Sequence, residues 1–294
     1  MMDPADRYDG IRVSRLGFAR DDWEKHTMPA DEATDARSGR AIDVDSSTLV
    51  VAIDGPSGSG KSTVARGTAR SLRLRYLDTG ATYRALTWLV LERGIAPDDA
   101  GKVTALADGF SLTVSTDPDD ATVLVDGRDV TVPIRGSAVT SAVSAVSAIP
   151  EVRRRLVAFQ RGIIGDGGIV VEGRDIGTTV CPDAQVKIFL TASATARATR
   201  RSADLATTPD LGAVTDLTDV QAELARRDRL DSSRVSSPLS QAADALTVDS
   251  TTMDVGGVIR FVLDMVAQRT GVRADATDVS RSLTGTTTSD RGDH

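Results

Sequence analysis

The feature that most restricts the fold of this chain is the run GPSGSGKS at residues 55 to 62. It directly follows the apolar run Leu49 to Ile53, and the stretch after it has apolar residues at helical spacing. Its spacing fits G-x-x-x-x-G-K-[ST], a loop that joins a strand to a helix and surrounds a polyphosphate with backbone N–H groups. The sequence therefore predicts a polyphosphate-binding loop at the end of a parallel β-strand.

The residue types in this loop each have a chemical reason. The glycines let the backbone lie close to the anion, Lys61 is expected to reach the β and γ phosphates, and Ser62 offers a hydroxyl to a phosphate-bound Mg²⁺. We therefore expect ATP to contact the run and the residue after it: Gly55, Pro56, Ser57, Gly58, Ser59, Gly60, Lys61, Ser62 and Thr63.

The composition is that of a globular chain: 294 residues, 40% hydrophobic and 26% charged. No apolar run approaches the roughly 18 residues of a membrane span, and the N-terminus is acidic where a secretory signal is basic. The single cysteine, Cys181, excludes an internal disulfide and a cysteine-cluster metal site. These observations predict a cytoplasmic protein without a membrane partner.

Charge and residue usage exclude several functions. The net charge of −7 argues against general nucleic-acid binding, which needs a basic face. The only histidines are His26 and His294, in the terminal segments, so neither a histidine base nor a histidine-rich zinc site is expected in the folded body. The chain contains no asparagine, so it lacks the N-K-x-D element of regulatory GTPases.

The chain divides into two polar ends and a patterned middle. Residues 1 to 47, with eleven acidic and seven basic residues, and residues from about 272 to 294 have no sustained apolar period, which predicts disorder. A short docked helix around residues 18 to 23 is the alternative for the leader. Between these ends, five strand-like segments alternate with helical stretches: residues 49–53, 75–78, 169–171, 186–190 and 245–248.

This alternation predicts an α/β fold, with a parallel sheet of about five strands covered by helices on both faces. Residues 110 to 135 interrupt the alternation, because strand-like runs flank the turns DPDD and DGRD, and the second turn leads into VTV at 130–132. They predict a small antiparallel meander inserted in the fold. A long helical region, broken at Pro150, follows at residues 137 to 161.

Arginines dominate the basic residues, with 31 arginines against four lysines. Arginine binds phosphate in a planar, bidentate manner, and phosphoryl transfer between two anions needs positive charge on both sides. The candidates lie beside glycine, aspartate or an element end: Arg84 in DTGATYR, Arg153 after Pro150, Arg174 in EGRDIGT, and Arg227 and Arg234 in RRDRLDSSR.

Six motifs in order, GPSGSGKS, LDTGATYR, EGRDIGT, PDAQVKIFL, RRDRLDSSR and ADALTVDST, resemble the bacterial cytidylate kinase family over roughly residues 48 to 270. The resemblance implies a P-loop nucleoside monophosphate kinase domain at 48–271, with a nucleotide-binding insertion at about 110–165 and a helical lid at about 200–237. It also implies a monomer that uses ATP with Mg²⁺ to phosphorylate CMP and dCMP.

The resemblance also implies roles for individual residues. Thr79, where the family often has serine, would bind the acceptor phosphate with three arginines, and Lys61, Arg174 and Arg234 would be catalytic. Ser144 and Asp175 would read cytosine, since a carboxylate accepts from the amino group that uracil lacks. The implied CMP-binding set is Thr79, Arg84, Ser144, Arg153, Arg174, Asp175, Arg227 and Asp231.

The metal and the alternatives complete the expectations. Ser62 would ligate Mg²⁺, and Glu172, where the family often has aspartate, would hold the ion through water. A P-loop kinase for another small acceptor, such as UMP or an alcohol, stays possible on the residues alone. So does a module that uses ATP as a switch without any dependence on CMP.

Overall fold

A computed structural model of the protein describes residues 45–206 and 216–274. Within them, five parallel strands form a sheet in the order β2-β6-β1-β7-β8. These strands are β1 Val50–Asp54, β2 Arg75–Asp78, β6 Ile169–Gly173, β7 Val186–Thr191 and β8 Leu246–Asp249. The predicted parallel α/β sheet is confirmed, and each strand begins within one residue of its predicted start.

Helices cover both faces of this sheet in the described ranges. Their bounds are α1 Lys61–Leu72, α2 Thr79–Glu92, α3 Ala100–Gly109, α4 Ser137–Ala148, α5 Pro150–Ile164, α6 Ala194–Ala206, α7 Leu217–Ser232 and α8 Val255–Thr270. Along β1, Val51 and Ile53 join the apolar core beneath α1 and α8, whereas Ala52 joins the core beneath α2 and α5. Burial on both faces explains why β1 begins as a continuous apolar run.

The predicted antiparallel insertion forms a three-stranded sheet in the order β3-β4-β5, with β3 Leu112–Val114, β4 Val123–Val125 and β5 Arg128–Asp129. The expectation of a strand at VTV, residues 130–132, was wrong. Asp126 and Gly127 both have positive φ, at 51° and 80°. They form a two-residue hairpin turn, so the third strand begins at once with Arg128.

The predicted break at Pro150 is present, because α4 ends at Ala148 and Pro150 is the first residue of α5. Helix α3 was not anticipated; its start is marked by Asp99, whose side chain accepts from the backbone N–H of Lys102 at 3.0 Å. Helices α6 and α7, in the region predicted as a lid, pack together through Ala198, Val220 and Leu224.

Parts of the predicted domain plan lie outside the described residues: 1–44 of the leader, 207–215 between α6 and α7, and 275–294 of the tail. The predicted domain limits and the disorder of both ends therefore stay predictions. Among the helices that are described, none is both long and apolar enough to cross a membrane.

Candidate active site

The phosphate-binding loop lies between β1 and α1, and its backbone requires glycine at the first position. Gly55 has φ of 150°, and a Cβ there would lie 2.0 Å from the carbonyl oxygen of Leu190 in β7. Gly60, with φ of 90°, forms the N-cap of α1. The loop therefore turns sharply at the sheet edge and directs the helix N-terminus at the space above it.

Lys61 is the first residue of α1, and only 6% of its surface is exposed. Its Nζ donates to the carbonyl oxygen of Pro56 at 2.6 Å and to Ser59 Oγ at 3.4 Å. Burial, helped by the positive charge of Arg174, lowers the pKa of Lys61 to about 7. An anion bound in the loop would raise this pKa again and so favour the charged ammonium form of Lys61.

Glu172 lies near the end of β6, directly beside the loop. Its Oε2 accepts from Ser62 Oγ at 3.0 Å, and its Oε1 accepts from the hydroxyl of Tyr76. Burial raises the pKa of Glu172, and the nearby Asp78 adds to this rise. The hydroxyl and carboxylate oxygens of Ser62 and Glu172 are the donor types that Mg²⁺ prefers, so these two residues fit the predicted metal.

Arg153 in α5 and Asp175 in the turn after β6 form a buried ion pair. Arg153 Nη2 donates to Asp175 Oδ2 at 2.5 Å, and the two side chains are only 3% and 7% exposed. The Arg153 guanidinium lies 5.2 Å from the ring centre of Tyr83. Ser144, in α4, is also buried at this place. The pairing with Arg153 holds the buried carboxylate of Asp175 in one orientation.

A charge network joins the loop, the turn after β6 and helix α7. Arg174 donates from Nη2 to Ser57 Oγ at 2.7 Å and from Nε to Asp231 Oδ2 at 3.1 Å. Asp231, in α7, also lies 3.5 Å from Nη2 of Arg234. Burial lowers the pKa of Arg227, one turn earlier in α7, to about 10, and Arg174 contributes to this.

The start of α2 supplies the remaining predicted residues. Arg84 Nη2 donates to Asp78 Oδ2 at 2.6 Å. Asp78 is also the N-cap of α2, since its side chain accepts from the N–H of Ala81 at 3.0 Å. Thr79 Oγ1 donates to the backbone oxygen of Glu172 at 2.7 Å. This helix start is therefore fixed against β6.

All of these groups meet in one cleft of about 860 Å³. Loop residues 57 to 63 line it, while Gly55 packs against Leu190 and Pro56 offers its carbonyl to Lys61. Eleven basic and five acidic side chains line the cleft, although the chain is net negative. The other predicted site residues that line it are Thr79, Arg84, Ser144, Arg153, Glu172, Arg174, Asp175, Arg227, Asp231 and Arg234.

Sequence reasoning missed several cleft residues, among them Asp78, Arg66 and Arg135. Asp78 carries a recognisable signal, because an aspartate before T-G-A at a helix start is a typical N-cap. Arg135 approaches Asp78 to 4.0 Å from the end of the insertion, and Arg66 lies in α1 over the ring of Tyr76, 5.1 Å from its centre. Neither arginine has a local sequence signal for this location.

A P-loop that faces a second, arginine-rich site across one cleft of a parallel α/β sheet defines the class of P-loop phosphotransferases. The family model described as "Cytidylate kinase" matches residues 51–268. The chain belongs to the cytidylate kinase family.

The relatives support the same assignment. The chain is 52% identical, over 228 residues, to a cytidylate kinase of Mycobacterium avium (77% of this chain, 99% of the relative). It is also 52% identical, over 223 residues, to a cytidylate kinase of Streptomyces coelicolor (75% of this chain, 94% of the relative). A crystal structure of a putative kinase from Chloroflexus aurantiacus is similar at 16% identity and a TM-score of 0.37, covering 74% of this chain and 97% of that one; this likeness is too distant to add to the assignment.

Proposed function

We propose that this protein transfers the γ-phosphoryl group of ATP to CMP and dCMP, giving ADP and CDP or dCDP. One observation carries the proposal: the P-loop and the Arg153–Asp175 pair line the same cleft. The pair offers both a cation for the acceptor phosphate and a carboxylate for the cytosine amino group. The names of the similar bacterial proteins agree with this acceptor.

On the donor side, the backbone of residues 55 to 63 holds the ATP phosphates, and Lys61 moves its ammonium from the Pro56 carbonyl to the β and γ phosphates. Ser62 and, through water, Glu172 would hold Mg²⁺. In the described part of the chain, no three His, Cys, Asp or Glu side chains cluster to hold a metal by themselves. An ion held there together with the ATP phosphates would supply charge neutralisation to the phosphates.

On the acceptor side, the arginines at positions 84, 153 and 174, together with Thr79, bind the phosphate of CMP. Asp175 accepts from the exocyclic amino group of cytosine, and Ser144 contributes a second polar contact to the base. Asp231 and Arg227 hold the sugar. The buried position of Asp175 supports its role, because an uncharged uracil carbonyl facing this carboxylate would leave both oxygens without a donor.

The transfer itself needs charge neutralisation rather than a strong base. The attacking phosphate oxygen is largely anionic near neutral pH, since the second pKa of a phosphate monoester is about 6. Lys61, Arg174 and Arg234 stabilise the charge that develops on the transferring group. Closure of the lid helices excludes water and so suppresses hydrolysis of ATP.

We further propose that the enzyme acts as a monomer in the cytoplasm, with no nucleic-acid or membrane partner. The net charge of −7 supports the absence of a nucleic-acid partner, and the single cysteine agrees with a reducing compartment.

The first test measures ADP formation from ATP and Mg²⁺ with CMP, dCMP, UMP, AMP and GMP as separate acceptors, and identifies each product by chromatography. Rapid formation of CDP and dCDP with little UDP supports the proposal. Fast UDP formation would point to a different acceptor. ATP turnover that does not depend on any nucleotide acceptor would point to a switch.

The base-reading role has its own test, the Asp175→Asn variant. Its amide can offer a donor to the uracil carbonyl, so we expect the ratio of kcat/KM for CMP over UMP to fall at least about tenfold. Asp183, an exposed aspartate a short distance further along the chain, provides the control Asp183→Asn. An unchanged ratio in Asp175→Asn would remove Asp175 from base recognition.

A further inference from the structure

Asp54 is the last residue of β1, and it is only 5% exposed although it is charged in water. Its two carboxylate oxygens have different partners in the turn after β6. Oδ1 accepts from the backbone N–H of Ile176 at 2.8 Å, and Oδ2 accepts from the backbone N–H of Gly177 at 2.8 Å. Asp54 therefore joins the strand before the phosphate loop to a segment 122 residues later.

These two N–H groups begin the short helical turn Ile176–Val180, whose N-cap residue is Asp175. An aspartate at an N-cap ordinarily turns its side chain back to accept from the N–H of the second or third residue of its own helix, here Gly177 or Thr178. Among the described contacts, the Asp175 side chain makes no such capping bond. Its carboxylate instead accepts from Arg153 at 2.5 Å and lines the cleft.

We propose that Asp54 is a positioning residue for recognition of the acceptor base. It supplies the two capping bonds that the turn needs, which frees the Asp175 carboxylate to face Arg153 and the cytosine. This inference rests on the base-reading role of Asp175 in the proposed function. Without the Asp54 carboxylate, two buried N–H groups would lack acceptors, and Asp175 is the adjacent carboxylate that can turn back to one of them, the N–H of Gly177.

The packing around the turn supports a fixed arrangement. Ile176 is fully buried, and a Cβ on Gly177 would lie 3.1 Å from Cδ of Lys187 and 3.4 Å from Cβ of Ala242. The backbone therefore has little room to find other partners. Burial raises the pKa of Asp54 to about 6, although both hydrogen bonds act in the opposite direction. An apolar residue would avoid this penalty but could not accept two hydrogen bonds.

The test compares Asp54→Asn, Asp175→Asn and the double variant, with Asp183→Asn as the control, in steady-state assays with CMP, UMP and ATP. Asn at 54 keeps one acceptor oxygen and turns an NH₂ group towards the second N–H. We expect the KM for CMP to rise about tenfold and the CMP-to-UMP ratio of kcat/KM to fall, with the KM for ATP changed less than about twofold. In the Asp175→Asn background, Asp54→Asn should leave that ratio unchanged, because both act through one carboxylate.

Two outcomes would overturn the inference, and they differ. If Asp175→Asn lowers the ratio but Asp54→Asn lowers activity equally for every substrate, Asp54 is merely structural. If Asp175→Asn itself leaves the ratio unchanged, the base-reading role fails and the inference fails with it.

Amide hydrogen exchange in the wild-type protein gives a reading that does not depend on a folded variant. Slow exchange at Ile176 and Gly177 supports the capping contacts. Rapid exchange at both amides would overturn them.

Discussion

The sharpest structural prediction concerns Gly55, the first residue of the phosphate loop, and the variant Gly55→Ala. The added Cβ would lie 2.0 Å from the carbonyl oxygen of Leu190 and 3.0 Å from its carbonyl carbon. Both atoms belong to the backbone of β7, so no rotation of a side chain can relieve the contact. The φ of 150° is also a conformation that alanine rarely adopts.

The expected loss of stability follows from the steric contact with β7 and from the backbone strain. The strand and the loop must separate by about 1 Å for ordinary contact, and such overpacking together with the backbone strain destabilises by about 3 kcal/mol. For a domain of this size, that loss lowers Tm by about 6–12 °C. Because the loop moves away from β7, ATP binding should weaken about tenfold or more as well.

Urea denaturation and ATP titration of the same preparations measure both effects. The matched control is Gly162→Ala, in α5, where an added Cβ meets no atom within 4 Å. Alanine there should stabilise by about 0.5–1 kcal/mol and leave ATP affinity unchanged. A Gly55→Ala protein with wild-type stability and ATP affinity would refute the reasoning.

Three further predictions follow from the site. Lys61→Ala should lower kcat about a thousandfold in the ADP assay with the fold intact, whereas alanine at the exposed Lys102 should change nothing. Glu172→Gln should raise the Mg²⁺ concentration for half-maximal activity without changing the KM for CMP; an unchanged Mg²⁺ requirement would exclude Glu172 from the metal site. Because burial raises the pKa of Asp54 to about 6, folding takes up a proton between pH 4 and pH 6. The protonated Asp54 therefore contributes about 3 kcal/mol to the free energy of unfolding below pH 4, and this contribution is lost as the pH rises through 6. Urea denaturation should show this loss in the wild-type protein relative to Asp54→Asn. Parallel pH profiles of the two proteins would contradict this assignment.

The middle of the central sheet could be predicted from the sequence because β1, β6 and β7 each contain a continuous apolar run. Val51, Ala52 and Ile53 all lie at 0% exposure, so burial on both faces leaves a clear local pattern. Helix α3 gives a weaker pattern, since only Val103 and Ala107 of its ten residues are buried. The register of the insertion depended on two positive φ angles, which the residues D-G permit but do not require.

The candidate site also has parts that the sequence predicts and parts that it does not. The phosphate loop is recognisable because its chemistry resides in eight consecutive residues, and the arginines became recognisable through ordered motifs. Asp54 and Arg135 had no comparable signal. Asp54 acts on backbone groups more than a hundred residues away, and Arg135 reaches Asp78 from the insertion; both contacts exist only once the chain has folded.

The order of strands in the sheet also has a consequence for biosynthesis. Among the described strands, β1 is the first to leave the ribosome, but it lies in the middle of the sheet, and its residue Val50 pairs with Ile169, 119 residues later. On its other side β1 pairs with β7, and this pairing begins at Val51 and Val186. The nascent chain must therefore keep an apolar strand and an incomplete nucleotide loop until most of the domain has been translated. Ribosome-bound chains that end before β6 should therefore not retain ATP.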